Sequence, residues 1–436
     1  MKKPFINYQF LFLVMCQLFG YAAHAEVLNG AEVSLVRQCR QSNDPVGTPR
    51  GIFPGRVVWS HAPGAASWDG AEKNWFSDSH NSQEDCNWMM NQTICNLAGS
   101  ENAKDAWNKI FRYFNHSHDK GSRGYKKGET VTIKINNNNT NSHADNGEIN
   151  ASPQMVYALL YSLTKFGGVP QQYIVVAEPS RFITDYLYNK CHKDFPKVRF
   201  VDNSGEDGRE KATYKTDAMH YSQNNGQLAT GIATAFTEAS YVINMALLKG
   251  HVGQGVTLCG KNWYGTMSIH ADWRKNFHNN FNQSRDGKPK YVTFVDFMGH
   301  NDLGGKCILW LIDALYACRN VGGAPGPRWK MPPFNGDWPS SLFGSLDPVA
   351  IDMVGLDFLT GEFPDMPDVD YSDMYLMEAA QADKSPSGTI YTPNGKDVPL
   401  KSLGVAEHWN NKMEKRYSGG TDSRDYGIDL IYVCRE

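Results

Sequence analysis

The chain has 436 residues, 41% of them hydrophobic and 20% charged, with a formal net charge of -3 at pH 7. That length carries an ample core without help from disulfides, and the mildly acidic balance, with no basic tail or lysine-arginine patch, argues against a nucleic-acid partner. Beyond the N-terminal segment no apolar run reaches the roughly 18 to 20 residues that a membrane-spanning helix needs.

Residues 1–25 read as a secretory signal: Lys2 and Lys3, an apolar stretch over residues 10–19, then Ala23-His24-Ala25 before Glu26. Leu13-Val14-Met15-Cys16 has the outline of a lipoprotein signal, but Met15 is larger than the residue that normally precedes a lipidated cysteine. The expectation is a periplasmic or extracellular chain cleaved after Ala25. Cys39, Cys86, Cys95, Cys191, Cys259, Cys307, Cys318 and Cys434 then remain, and an even count in an oxidising compartment predicts disulfides whose partners the sequence does not assign. Cys86–Cys95 and Cys307–Cys318 are the local candidates.

Residues 26–128 hold a first core strand at 56–59 and an aromatic insertion with a helix near 103–115. The main core, 129–360, has the rhythm of an α/β protein with a mostly parallel sheet and flanking helices. Val131, Ile133 and Ile135 alternate in a strand that exits through four asparagines. Ser152 and Pro153 open a helix that Gly167-Gly168 closes. A strand at 173–177, a helix at 182–191 and strands at 198–201, 241–248 and 291–296 follow. Residues 304–320 carry a helical apolar pattern in which Asp313 reads as solvent-facing. Asp347 caps a helix whose first position is Pro348. From 361 to 436, proline and glycine predict an irregular C-terminal cover, from which the Glu407-His408-Trp409 piece can approach the cleft.

The most chemical stretch is 241–265, where an apolar strand runs into a glycine-dense loop holding Lys249, His251, Thr257, Lys261 and Asn262. In an open parallel sheet, ligands bind outside the carboxyl ends of strands. Asn136, Glu178, Arg181, Asp202, Lys249, His251, Asp296 and His300 all fall at or just after such predicted ends. Lysines there can hold a carboxylate or phosphate, and His251 can move a proton near neutral pH. His61, His80, His116 and His118 read as surface histidines.

This stretch resembles the DUF362 family of proteins of unknown function, in which a strand ending in IN and then LK-x-H is followed by a threonine and a KN-x-x-G motif. Here these are Ile243-Asn244, Leu248-Lys249, His251, Thr257 and Lys261-Asn262-Trp263-Tyr264-Gly265. Residues 345–359 form a second family-like segment, and weaker matches lie at 131–136 and 152–163. The resemblance runs from about Arg56 to Glu407 and draws attention to Asp352. Some relatives resemble ferredoxin fusions; this chain lacks their CxxCxxC run, so the resemblance implies no iron–sulfur centre here.

There is no G-x-S-x-G elbow, HExxH helix, Walker loop or dinucleotide fingerprint, hence no nicotinamide signature. The reading is an exported enzyme, an isomerase or hydrolase, acting on a small anionic or polyhydroxylated substrate. His251, Lys249, Lys261, Glu178 and Asp202 are the candidate catalytic residues, and Asn136, Arg181, Asn244, Thr257 and Asn262 the candidate substrate contacts. The cofactor is unknown; a divalent metal on His251 with carboxylate donors stays open. The rival is a periplasmic glycan- or ligand-binding protein that uses its tryptophans and asparagines without catalysis.

Overall fold

A computed structural model describes residues 44–223, 230–267, 288–419 and 427–436. The expected signal peptide, its expected cleavage site and Cys39 lie outside them. In chain order the elements are β1 (Val46–Gly47), β2 (Arg56–His61), α1 (Gln83–Ala98), α2 (Ala103–Ser117), β3 (Val131–Lys134), α3 (Pro153–Lys165), β4 (Ile174–Glu178), α4 (Asp185–Asp194), β5 (Arg199–Asp202), β6 (Glu210–Lys211) and β7 (Tyr214–Met219). Then come β8 (Thr230–Ala233), α5 (Thr234–Thr237), β9 (Tyr241–His251), β10 (Gly255–Thr257), α6 (Cys259–Asn262), α7 (Thr293–Gly299), β11 (Cys307–Cys318), β12 (Ser341–Ser345), α8 (Pro348–Glu362), α9 (Val369–Ala380), β13 (Val405–Ala406) and β14 (Asp429–Cys434).

Ten strands form one sheet in the order β14-β2-β12-β11-β9-β3-β4-β5-β6, with β10 paired to β9 as a hairpin. Apart from β12 and β10, the pairings run parallel, so the chain is α/β as its sequence predicts. The sheet separates two cores. Val242, Ala246 and Leu248 of β9 enter one, with Val354 and Leu376 of α8 and α9. Tyr241, Ile243, Met245 and Leu247 enter the other, with Met89, Trp107, Leu159 and Leu187 of α1 to α4. A strand buried on both faces loses the apolar-polar alternation and reads as one apolar run.

The same effect explains two reversals. Residues 304–320, expected to be helical, contain the central strand β11, all of whose twelve residues are buried. Asp313 is therefore interior at 1% exposure, where it accepts hydrogen bonds from Ser152 N (2.8 Å) and Ser152 Oγ (3.1 Å) and fixes the start of α3. Conversely, the strand expected at 291–296 is the helix α7, buried nearly all round, and a short apolar run carries no period that separates the two. Asp296 thus lies inside a helix, accepting from Tyr291 Oη at 2.5 Å and from Ser222, and is not at a strand exit. His61, expected at the surface, ends β2 at 3% exposure.

The region before residue 128 contains α1 as well as the expected α2, and both pack on the sheet. The C-terminal cover supplies α9 and the edge strand β14, neither of which its sequence suggested. Neither local cysteine pair fits this fold. Cys86 and Cys95 sit nine residues apart on α1, roughly 13 Å along the axis at the helical rise, and Cys307 and Cys318 bound β11, roughly 36 Å apart at the strand rise; a disulfide needs Cα atoms within about 7 Å. No helix among the described residues is long and apolar enough to cross a membrane.

Candidate functional site

At the carboxyl ends of the parallel strands β3 and β4 lies a polar cavity, closed by β10 and by α6 with the turn that follows it. Its walls are Lys134, Asn136, Asn138, Glu178, Ser180, Thr257, Lys261, Asn262, Tyr264 and Gly265. The space it leaves for a water-sized guest is ≈ 20 Å³, room for a single water, which needs roughly 10–15 Å³ on that measure.

At its base Lys134, fully buried at the end of β3, donates to Glu178 Oε2 at 2.9 Å, to Asn262 Oδ1 at 3.0 Å and to the Ile135 carbonyl. Burial pushes the Lys134 amine below its usual range while Glu178 pulls it back up. Asn137 N–H (3.0 Å) and Ser180 Oγ (3.1 Å) donate to the same carboxylate. A buried charge pair survives only with such a complete set of partners.

Asn262 joins the strands. Its Oδ1 also accepts from Asn136 Nδ2 at 3.1 Å, and its Nδ2 donates to Asn244 Oδ1 at 2.7 Å, while Asn244 Nδ2 donates to the Cys259 carbonyl at 3.0 Å. The amide orientations follow from one fact: an ammonium only donates, so the Asn262 atom facing Lys134 is oxygen. Asn136 must then present its NH₂ to Asn262, which leaves Asn136 Oδ1 at the cavity. That atom and Thr257 Oγ1 are buried without a hydrogen-bond partner, on residues 4% and 2% exposed.

The short helix α6 that carries Lys261 and Asn262 is held from below by Asp352 of α8, whose carboxylate accepts from Cys259 N (2.8 Å), Gly260 N (2.7 Å) and Tyr375 Oη (2.9 Å). Burial raises the Asp352 carboxyl to about 6 against these bonds. Gly265 is required for space: a Cβ there would stand 2.6 Å from Glu178 Oε1 and 2.8 Å from Lys134 Nζ. The lysine, asparagine and glycine of KN-x-x-G thus each serve the cavity, and Asp352 ties the second motif to the first.

Of the sequence-derived candidates, the cavity brings together Asn136, Glu178, Thr257, Lys261 and Asn262, with Asn244 directly behind. Arg181 stands behind the wall, donating from Nε to the Asn138 carbonyl at 2.9 Å. Lys249 is fully buried beside the cavity, opposite Thr257 in the β9–β10 register; its Nζ donates to the Val321 carbonyl at 3.0 Å, and burial pushes its amine down to about 8. His251 is at the hairpin end, its Nδ1 2.6 Å from the Val252 carbonyl, and is not among the lining residues. Asp202 is committed elsewhere, to His143 Nε2 at 2.8 Å and to the amides of Ile183, Ser204 and Gly205. Glu407 accepts from Ser418 N and Ile428 N, and His408 lies between Asp357 and Asp373; neither reaches the cavity. Lys134 and Ser180 escaped the sequence reading. A lysine inside the apolar strand Val131–Lys134 was the available signal, because a charge in a central parallel strand demands a buried partner.

These features define an α/β protein with a preformed polar cavity at the carboxyl ends of its parallel strands. The sequence profile of one family, "Domain of unknown function (DUF362)", matches residues 131–357, from the first residue of β3 to Asp357 of α8. The chain belongs to the DUF362 family. No curated protein matches it.

Proposed function

We propose that this chain is an exported enzyme acting on a small anionic or polyhydroxylated molecule held in the cavity at the ends of β3 and β4, beside β10 and α6. The observation that carries the reading is the pair of buried polar atoms without partners, Asn136 Oδ1 and Thr257 Oγ1, on the same wall as Lys261. Each such atom costs about 1–3 kcal/mol, a cost that a ligand bonding both would offset. Lys261 supplies the charge for an anionic group or for charge that develops in reaction. Glu178 is the carboxylate for proton transfer, with Lys134 fixing its geometry. Isomerisation or hydrolysis fits these parts. His251 and Asp202 have no task in this version, and Lys249 contributes charge from behind the wall. A divalent cation fits poorly here, since the cavity wall sets Lys134 and Lys261 against the single carboxylate of Glu178. Export is supported by the N-terminal pattern of Lys2, Lys3 and Ala23-His24-Ala25.

Glycan binding without catalysis draws on a different place, an open groove of ≈ 390 Å³ lined by Trp59, Tyr417 and Tyr432 among others. Tyr432 is 45% exposed there, but Trp59 is 3% exposed and offers no free face, so the cavity is preferred. The test is a substrate screen on the mature chain with Lys261→Ala and His251→Ala. Turnover should fall about 100-fold or more in Lys261→Ala, the scale seen when a charge-stabilising donor is removed, and hold in His251→Ala. Loss in His251→Ala with Lys261→Ala unaffected would overturn the assignment.

A further inference from the structure

We propose that β14 pairs with the β14 of a second copy of this chain, antiparallel about a two-fold axis at Tyr432, so that one sheet runs through both. Among the described residues β14 is the outermost strand of the sheet and pairs with β2 alone. Successive peptide groups of a strand point to opposite sides within the sheet. Asp429 N–H donates to the Gly55 carbonyl at 3.0 Å and Arg435 N–H to the His61 carbonyl at 2.8 Å, so the alternate residues between them, Ile431 and Val433, also face β2. The N–H and C=O groups of Leu430, Tyr432 and Cys434 face away from the sheet, and no described residue bonds them. Such an edge invites a further strand unless it is short, charged, bulged or broken by proline. The opposite edge, β6, consists of Glu210 and Lys211 alone. By contrast β14, Asp429–Cys434, keeps an unbroken register with β2 and has neither a charge nor a proline between its ends.

The occupant follows from the strand's own sequence, Asp429-Leu430-Ile431-Tyr432-Val433-Cys434-Arg435. Antiparallel pairing about Tyr432 sets Asp429 opposite the partner's Arg435, Leu430 opposite the partner's Cys434, and Tyr432 opposite its own copy. Every outward N–H of the strand then meets an outward C=O of the other. Sliding the strands by one bonded position in either direction removes the opposite charges and leaves part of each edge unpaired, so the self-complementarity selects this register. Asp429 and Arg435 keep their partners within the chain, Arg56 at 2.9 Å and the carboxylates of Glu84 and Asp85, and each gains a neighbour of opposite sign across the axis. Tyr432 is 45% exposed, and Met413 near it is 63% exposed, both on the groove that Leu430 also lines. A second strand laid along the edge continues this surface across the axis and brings the two tyrosines face to face.

The experiment is sedimentation velocity of the chain at up to roughly 50 µM, above the micromolar dissociation constants of weak contacts of ordinary size. The parent should sediment with twice the mass of one chain. Tyr432→Lys and Tyr432→Glu each place like charges opposite one another at the axis and remove the tyrosine pair. Each variant alone should dissociate about tenfold more readily, and a one-to-one mixture of the two should recover the dimer, which shows that both are folded. Leu430→Cys should yield a covalent dimer on mild oxidation through the partner's Cys434, and adding Cys434→Ser should abolish it; within one chain these positions lie roughly 13 Å apart at the strand rise, beyond reach of a disulfide. A dimer equally tight in both charge variants, or no recovery on mixing them together with no cross-link, would overturn the pairing. A parent that stays a single chain would overturn the proposal, and slow hydrogen exchange at its Tyr432 amide would assign the edge to another segment of the same chain.

Discussion

Asn262 and Thr257 are five residues apart and contribute to the cavity in opposite ways. Asn262 bonds Lys134, Asn136 and Asn244 at once, so Asn262→Ala leaves a buried ammonium short of an acceptor and two amides short of partners. Unfolding free energy by urea titration should fall by about 3–5 kcal/mol, from one charged and two neutral hydrogen bonds. Thr257 Oγ1 bonds nothing, and Thr257→Val replaces a desolvated hydroxyl by a methyl of the same shape. That variant should be as stable as the parent or more so by about 1 kcal/mol, and a loss above that size would mean the hydroxyl has a structural partner. Such a group, unfavourable to fold and retained, is what a ligand contact looks like before the ligand arrives. The KN-x-x-G segment exposed much of this in sequence, because Lys261, Asn262 and Gly265 are adjacent in the chain. Lys134 and its pairing with Glu178 were not legible, since their proximity depends on the β3–β4 register, which joins residues 44 positions apart. His251 misled for the complementary reason: it follows an apolar strand, but β9 runs on to residue 251 itself as one arm of a hairpin.

At the scale of elements, a four-residue helix such as α6 has no stability of its own, and the Asp352 carboxylate under its first turn keeps it in place. Asp352→Ala would leave Cys259 and Gly260 N–H groups unpaired at about 1–3 kcal/mol each. The variant should retain its circular dichroism while losing ligand binding at the cavity; unaltered binding would show that α6 is held by other contacts. A second clasp joins α8 and α9 to the C-terminal cover. His408 lies between Asp357 and Asp373, the Asp373 contact being close at 2.9 Å but poorly aligned. Burial depresses the imidazole, and the two carboxylates outweigh it and hold His408 up to about 10. A folded value above the unfolded one of about 6.5 means stabilisation that is complete below pH 6.5 and lost as pH rises towards 10. The stability difference between the parent and His408→Gln should therefore be largest near pH 6 and shrink by pH 10; a difference that is flat over this range would contradict the clasp. Among elements, alternation revealed β3 and capping residues revealed α8. The identities of β11 and α7 were hidden because complete burial removes the polar positions from which a period is read.

Over the whole molecule, the parallel order was readable from alternating strands and helices, whereas β14 was not, because its partner β2 lies almost the full chain away. The sheet also decides the cysteine chemistry. Cys86, Cys191, Cys259, Cys307 and Cys318 are buried, and burial pushes the Cys259 and Cys86 thiols well above their ordinary range, which makes them unreactive. Peptide mapping of the unreduced protein, isolated from the host that makes it, should find neither Cys86–Cys95 nor Cys307–Cys318 linked, and either cross-link would contradict the geometry of α1 or β11. N-terminal sequencing of that material should begin at Glu26; an acylated Cys16 would contradict the cleavage assignment.

The central claim is that Lys261, Asn136 and Thr257 form one ligand site at the strand ends. A crystal structure of the chain grown with a small anionic or polyhydroxylated ligand from the substrate screen tests it most directly. The expected result is the ligand in the cavity beside Lys261, with its polar atoms bonded to Asn136 Oδ1 and Thr257 Oγ1. The ligand bound elsewhere at saturation, or Asn136 Oδ1 and Thr257 Oγ1 both paired with protein groups across a closed cavity, would contradict it.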